Sequence, residues 1–461
     1  MARKTNDLGR DSVGKLLVRL ALPAIMAQLV NALYNIIDRM YIGHMKPDGD
    51  LALTGLGVCF AIIMFISALS ALVGMGGGSR AAIKMGEGDI DGANAILGGC
   101  TMLAIVISLA VTVLAQIFME PLLYLVGASD YTIGYATDYL GIYLWGTISV
   151  QISLGLNNFI TTQGFSTTSM LTVLIGAICN IILDPIFIYG FDMGVKGAAL
   201  ATVLSQTISA LWVLKFLTGK RSKLKIQTRH LRLRPKVLLP VVAIGVSPFI
   251  MQSTESLVSI AFNTSLRDYG GDLYVGAMTI CTSIMSLILM LFQGLAQGAQ
   301  PIVGFNYGAG QFDRVKKAFR LLFTISVGYA ILTCLLLQLF PGTFVALFND
   351  KPELTTAAIS SLRVYTFGLF MMGIQFSCQQ TFVALGQAKI SLFMALLRKI
   401  ILLIPLIYIL PAFLPDKVFA VLLAEPVADI CAASTTGIVF FTQFPRILRR
   451  RQEQLTAGET V

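Results

Sequence analysis

Apolar stretches near or above the roughly 20 residues needed to cross a ~30 Å hydrocarbon core recur from end to end of the chain, separated by short polar segments. They predict spanning helices at 16–40, 51–75, 93–118, 131–153, 166–190, 195–217, 238–264, 273–298, 317–341, 357–384, 389–413 and 417–443. The expected fold is therefore all-α and integral to a membrane, with twelve transmembrane helices and both termini on one side. The first stretch follows the polar segment Met1–Lys15 and runs on into Asn35 and Asp38 without a small-residue cleavage site. It reads as a retained helix rather than a signal peptide.

Composition agrees with the pattern. Of 461 residues, 56% are hydrophobic and only 13% charged, more apolar surface than a soluble core of this length buries. The net charge of +10 is not spread evenly. Lys and Arg crowd alternate loops: Arg3, Lys4, Arg10 and Lys15; Arg80 and Lys84; Lys220 through Lys236; Arg314, Lys316 and Lys317; Lys389; and Arg446 through Arg451. That alternation places both termini and the long central loop in the cytoplasm, in a multi-pass protein of the cytoplasmic (inner) membrane. Topology and attraction to anionic membrane lipid account for the basic excess, and no nucleic-acid partner is required. The seven cysteines fall inside apolar spans without metal-ligand spacing and read as small buried hydrophobes.

The chain repeats itself at an offset near 222. Leu22-Pro23 falls at Ser247-Pro248, Gly86-Glu87-Gly88 on Gly308-Ala309-Gly310, Gly164 on Gly386, and Ile181-Ile182-Leu183 with Pro185 on Ile400-Ile401-Leu402 with Pro405. Six crossings is an even number, so the halves share one orientation and form two parallel-repeat six-helix bundles around a central cleft. The expected domains are an N-terminal lobe at 1–217, a basic cytoplasmic linker at 218–236 and a C-terminal lobe at 237–461. The linker reads either as a strap that lets the bundles rock or as a plain solvated loop. The glycines at 74–78 follow no strand and lack G-x-x-x-x-G-K-[ST], so no nucleotide site or other cofactor is expected.

Ionisable groups inside a span cost roughly 2.5–3.5 kcal/mol at a helix centre and each calls for a reason. Asp184 follows Asn180 by one helical turn, on the same face, and Pro185 frees the carbonyl of Ile181 beside them. Thr202 on the next helix, one turn after Ala198, offers a hydroxyl. Carboxylate, amide, hydroxyl and carbonyl are donors that suit an alkali cation, and a desolvated carboxylate equally holds a proton; the competing reading is a packing network. Asp38 lies in the outer half of a helix bent at Pro23, with pairing to Arg39 as its alternative. Glu255 sits mid-helix in Met251-Gln252-Ser253-Thr254-Glu255, facing either the cleft or a neighbouring helix. The expected cleft lining is Gln28, Asn31, Tyr34, Asn157, Met251, Gln252, Glu255 and Gln293, with Asn158, Gln297 and Gln375 as further candidates. Arg363, Arg398 and Lys399 read as snorkelling anchors. Glu425 and Asp429 have no assignment at this level. The acids do not follow the repeat: Asp184 is matched by Ile404, Asp38 by Asn263 and Glu255 by Val30.

Leu22-Pro23, Asn35-x-x-Asp38-x-x-x-x-Gly43, Gly86-x-Gly88, Asn180-Ile-Ile-Leu-Asp184-Pro185, Gly197-Ala198-Ala199-x-Ala201-Thr202 and Glu255 together resemble the multidrug and toxic compound extrusion (MATE) family, in its MepA-like multidrug branch. The resemblance covers nearly the whole chain. It implies a cation site at Asp38, Asn180, Asp184, Ala198 and Thr202, with Na+ at Asn180, Asp184 and Thr202 or a proton in its place. It also implies a monomeric antiporter that rocks its bundles to export lipophilic organic cations, coupled to H+ or Na+ and using no cofactor. One branch of the family adds an acid in the tenth helix; here no Asp or Glu lies between Ala357 and Leu385. A lipid-linked oligosaccharide flippase would share the architecture but calls for a basic cleft and often fourteen helices. An enzyme is not expected, since His44 and His230 lie in loops and no nucleophile–base pair or metal cluster emerges.

Overall fold

The structure is a computed structural model and describes residues 6–45, 49–348 and 351–458; Arg3 and Lys4 of the N-terminal basic group lie outside them. Among the described residues there is no strand. The main helices are α1 (Val13–Gly43), α2 (Gly49–Gly86), α3 (Ile90–Ile117), α4 (Ile133–Trp145), α5 (Thr147–Thr162), α6 (Ser166–Gly190), α7 (Gly194–Thr218), α8 (Pro235–Gly308), α9 (Phe312–Leu339), α10 (Pro352–Tyr365), α11 (Leu369–Ala384), α12 (Ala388–Phe413) and α13 (Lys417–Gly458). Among the described residues nine helices are long and apolar enough to cross a membrane, and eleven segments are if the bent pairs α4–α5 and α10–α11 each count as one. The 74-residue α8 is interrupted at Gly271, whose φ of 69° and ψ of −170° leave the helical region.

The repeat reappears as geometry. Positive φ, which glycine tolerates without a Cβ penalty, turns the chain at Gly88 (78°) and Gly310 (70°), and again at Gly164 (89°) and Gly386 (71°). The two bends, 60° between α4 and α5 and 50° between α10 and α11, fall at Gly146 and in the stretch ending at Gly368, again 222 residues apart. The apolar stretch expected at 131–153 is therefore a broken helix that runs on to Thr162, through a π-helical segment at Gln151–Leu156.

Packing is shared between the lobes at one end only. One buried cluster joins Leu8 through Ala21 to Leu295, Phe319 and Phe440, and another joins Leu72, Leu97 and Phe159 to Leu238 and Val241. There α2 and α8 meet backbone to backbone: a Cβ on Gly245 would stand 2.0 Å from the carbonyl oxygen of Leu72, and one on Gly308 2.0 Å from that of Ile83. Gln300 donates across the same seam to Ser79 (2.6 Å), and Arg451 to Glu87 (2.5 Å). At the other end the clusters are separate, one drawn from residues between Ile42 and Ala199 and one from residues between Val258 and Ala428. The lobes thus diverge from the end that carries the termini and linker.

The linker is docked rather than loose. Gln163 Oε1 accepts from the backbone of Lys223 and Leu224 at 2.7 and 2.9 Å, Asn94 Oδ1 accepts from Lys225 N at 2.8 Å, and Arg229 pairs with Asp91. Leu224 is fully buried. The plain solvated loop is corrected: two polar side chains of the first lobe satisfy the linker backbone, so it follows that lobe.

Candidate functional site

Pro185 closes the α-helical part of α6, and the chain continues as a π-helical turn at Ile186–Gly190. Gly197 lets α7 press against that turn, since a Cβ there would lie 2.7 Å from the Phe187 backbone. This brings Thr202 to Asn180, whose amide donates to Asp184 Oδ1 at 3.1 Å and to Thr202 Oγ1 at 3.4 Å. Asp38, from α1, lies within interacting reach of Asp184. Asp184 is fully buried, Asp38 is 8% exposed and Ala198 is fully buried. Arg39 acts on Asp38 only through space; its guanidinium lies 5.1 Å from the centre of the Phe60 ring.

Asp38 Oδ1, Asp184 Oδ2 and Asn180 Oδ1 are buried and have no hydrogen-bond donor. Orphaned oxygens of this kind are costly, and a cation or a proton shared between the carboxyls relieves them. Among the described residues no group of three His, Cys, Asp or Glu side chains could hold a metal ion. The donor set here of carboxylate, amide and hydroxyl suits an alkali cation or a proton better than a transition metal. Asn31, Tyr34, Thr172, Asn180, Thr202 and Gln206 line a crevice of about 30 Å³, large enough for water or a small ion and far below the 300–1,000 Å³ typical of a drug-sized ligand. Tyr139, beside Thr202 and Asp38, is a neighbour that sequence reasoning missed; it sits in an apolar stretch with no motif to mark it.

The expected cleft residues divide. Asn31 and Tyr34 line the crevice, and half-buried Gln28 lies on the same helix. Asn157 is tied into helix packing: it donates to the Ser169 carbonyl at 3.2 Å and accepts from Thr172 at 3.0 Å. In the second lobe Gln252, Glu255 and Gln293 are exposed along α8, while Met251 is half-buried. Gln375 is buried and donates to Gln379, so it serves packing.

Arg398 and Lys399 are not snorkelling anchors. Lys399 is 5% exposed and donates to Glu255 and, at 2.7 Å, to the Met251 carbonyl. Arg398 bridges two acids of α13, with Nε donating to Asp429 at 2.7 Å and Nη2 to Glu425 at 2.9 Å. The cause is local: Leu397–Leu403 is a π-helical segment, whose widened turn carries one more residue than an α-helix, and both basic residues point into the lobe. Arg363 remains exposed, as an anchor should be. Glu425 and Asp429 thus gain a partner. The sequence signal was available, since Glu255, Arg398, Lys399, Glu425 and Asp429 all lie well inside predicted spans of one lobe and invite pairing.

This fold, with a buried polar site between apolar helices, defines a multi-pass α-helical membrane protein. The MatE family pattern matches residues 23–186 and 248–409, and the chain belongs to that family. The multidrug export protein MepA of Staphylococcus haemolyticus is 25% identical over 433 residues, 93% of this chain and 94% of its own length. MepA of Staphylococcus aureus is 25% identical over 435 residues, with 94% of each chain covered. Among solved structures, MATE in the bent conformation superposes with a TM-score of 0.90 at 23% identity, over 97% of this chain and 100% of that one. An outward-facing multidrug resistance MATE family transporter of the MOP superfamily gives 0.88 at 23% identity, over 97% and 100%. Both are likenesses of fold.

Proposed function

We propose that this protein is a secondary active exporter of lipophilic organic cations, driven by inward movement of H+ or Na+ through the site at Asp38, Asn180, Asp184 and Thr202. The observation that carries the reading is the pair of buried carboxyls, Asp38 and Asp184, with unpartnered oxygens inside helices of a membrane protein. Such a pair binds a cation in one state of the lobe and releases it in another, which is what coupling requires. The names of the MepA relatives support multidrug export. With α8 read as two crossings parted at Gly271, the chain crosses twelve times. Both termini lie in the cytoplasm, so the cleft between the diverging lobes opens outward. Drug reaches it between α1, α2 and the two arms of α8 as the lobes rock, and the protein acts as a monomer. A flippase for lipid-linked pyrophosphates fits less well, because Arg398 and Lys399 are already engaged by carboxylates.

The test is ethidium uptake into inverted vesicles under an imposed proton or sodium gradient. Gradient-dependent uptake is expected with one of the two ions, and conservative changes at Ile404 or Asn263 should leave it largely intact. Uptake indifferent to both gradients would remove the reading.

A further inference from the structure

The second lobe holds an ammonium where the first lobe's repeat holds an amide. On the offset of 219 that matches Ile181 with Ile400, Asn180 falls on Lys399; after it, Pro185 falls on Pro405 at an offset of 220. The slip of one residue coincides with the π-helical segment Leu397–Leu403, which accommodates it. Lys399 is buried, with the Met251 carbonyl and Glu255 as its hydrogen-bond acceptors, whereas the Glu255 side chain is 62% exposed. The carboxylate is therefore reachable from outside the lobe while its partner reaches it from within.

We propose that Lys399 is a tethered counter-cation of the second lobe, which an organic cation displaces from Glu255, the displaced ammonium releasing its proton to water. The proposal rests on the export reading and deepens it. The titratable and charged groups around Lys399 are Glu255 on α8, Arg398 on α12, Glu425 and Asp429 on α13, and Tyr365 on α10. With the acids and bases ionised they carry two positive and three negative charges, a net charge of −1. Arg398 stays charged and stays with Glu425 and Asp429. While Lys399 is an ammonium, Glu255 offers an incoming cation no uncompensated charge. An ammonium that loses its carboxylate inside a lobe is expensive and neutralises instead. One N–H bond of Lys399 breaks, its electron pair stays on nitrogen, the proton passes to water, and the organic cation takes the ammonium's place against Glu255. The cluster keeps its net charge of −1, so drug and proton exchange one for one at this lobe, while the change of state that carries either across the membrane still requires the ion held by the first-lobe acids. When drug leaves on the outer face, Lys399 takes a proton from water there and returns to Glu255.

The experiment uses purified full-length protein and tetraphenylphosphonium, whose fixed charge carries no proton of its own. In weakly buffered solution, a pH indicator should report about one proton released per probe bound, and the probe's affinity should rise about tenfold per pH unit. Lys399→Arg keeps an ion pair with Glu255 but cannot deprotonate, so release and pH slope should vanish. Lys399→Met should bind the probe with no pH slope and release no proton. The Asp38→Asn, Asp184→Asn double variant should still release the proton, which separates this lobe from the first. Undiminished release in Lys399→Arg, or its loss in the double variant, overturns the proposal while leaving gradient-driven export intact. Failure of the native protein to bind the probe or export dye would remove the export reading and this proposal with it.

Discussion

The two lobes share one scaffold and treat charge in opposite ways. In the first, Asp38 and Asp184 stand together beside an amide and a hydroxyl, with buried oxygens left unpartnered and Arg39 acting on Asp38 only through space. In the second, Glu255, Glu425 and Asp429 have their cations built into the chain as Lys399 and Arg398. Bends, positive-φ turns and prolines recur at nearly constant offset in both. The teaching is that a repeat conserves the mechanics of a lobe while its charges decide whether the counter-ion is free to leave. A carboxylate that lacks a resident base can exchange ions with water; one tethered to a lysine can only do so by moving or discharging that lysine.

The comparison can be broken most forcefully at Arg398. Arg398→Met strands Glu425 and Asp429 as buried acids, and a loss of about 3–5 kcal/mol is expected, read as a large drop in thermal stability of the purified protein. Relieving the first lobe should have the opposite sign: Asp184→Asn removes an uncompensated carboxylate and should leave the melting temperature unchanged or higher. A severe loss from Asp184→Asn would show that the first-lobe acids are structural, and the contrast would collapse. The smallest effect belongs to the linker. Arg229 pairs with Asp91 in the open, with side chains 64% and 62% exposed, and such pairs contribute about 0.2–1 kcal/mol at most. Arg229→Gln should therefore leave both melting temperature and equilibrium dye binding nearly unmoved.

Much of this was legible in the sequence. Length and polarity of the apolar stretches marked the helices, and the repeat aligned Gly88 with Gly310 and Gly164 with Gly386, pairs that the structure finds at positive φ. Asn180 and Asp184 could be placed on one face because their spacing is local. What was hidden depends on distant partners. Lys399 meets Glu255 across 144 positions, and Gln163 meets the linker backbone across about 60, so no periodicity announces either. The bend at Gly146 was missed because the apolar pattern continues through it. The inward turn of Arg398 and Lys399 depends on a π-helical segment that hydrophobic spacing does not reveal.

The central claim is that the first-lobe acids carry the coupling ion, and one measurement meets it directly. Asp184→Asn protein would be reconstituted into vesicles, and gradient-driven ethidium transport compared with equilibrium ethidium binding on the same preparation. The neutral amide cannot change charge when an ion binds, so the account predicts that binding partly survives while gradient-driven transport falls to the level of empty vesicles. Transport at the native rate from that variant would contradict it and return Asp184 to a packing role.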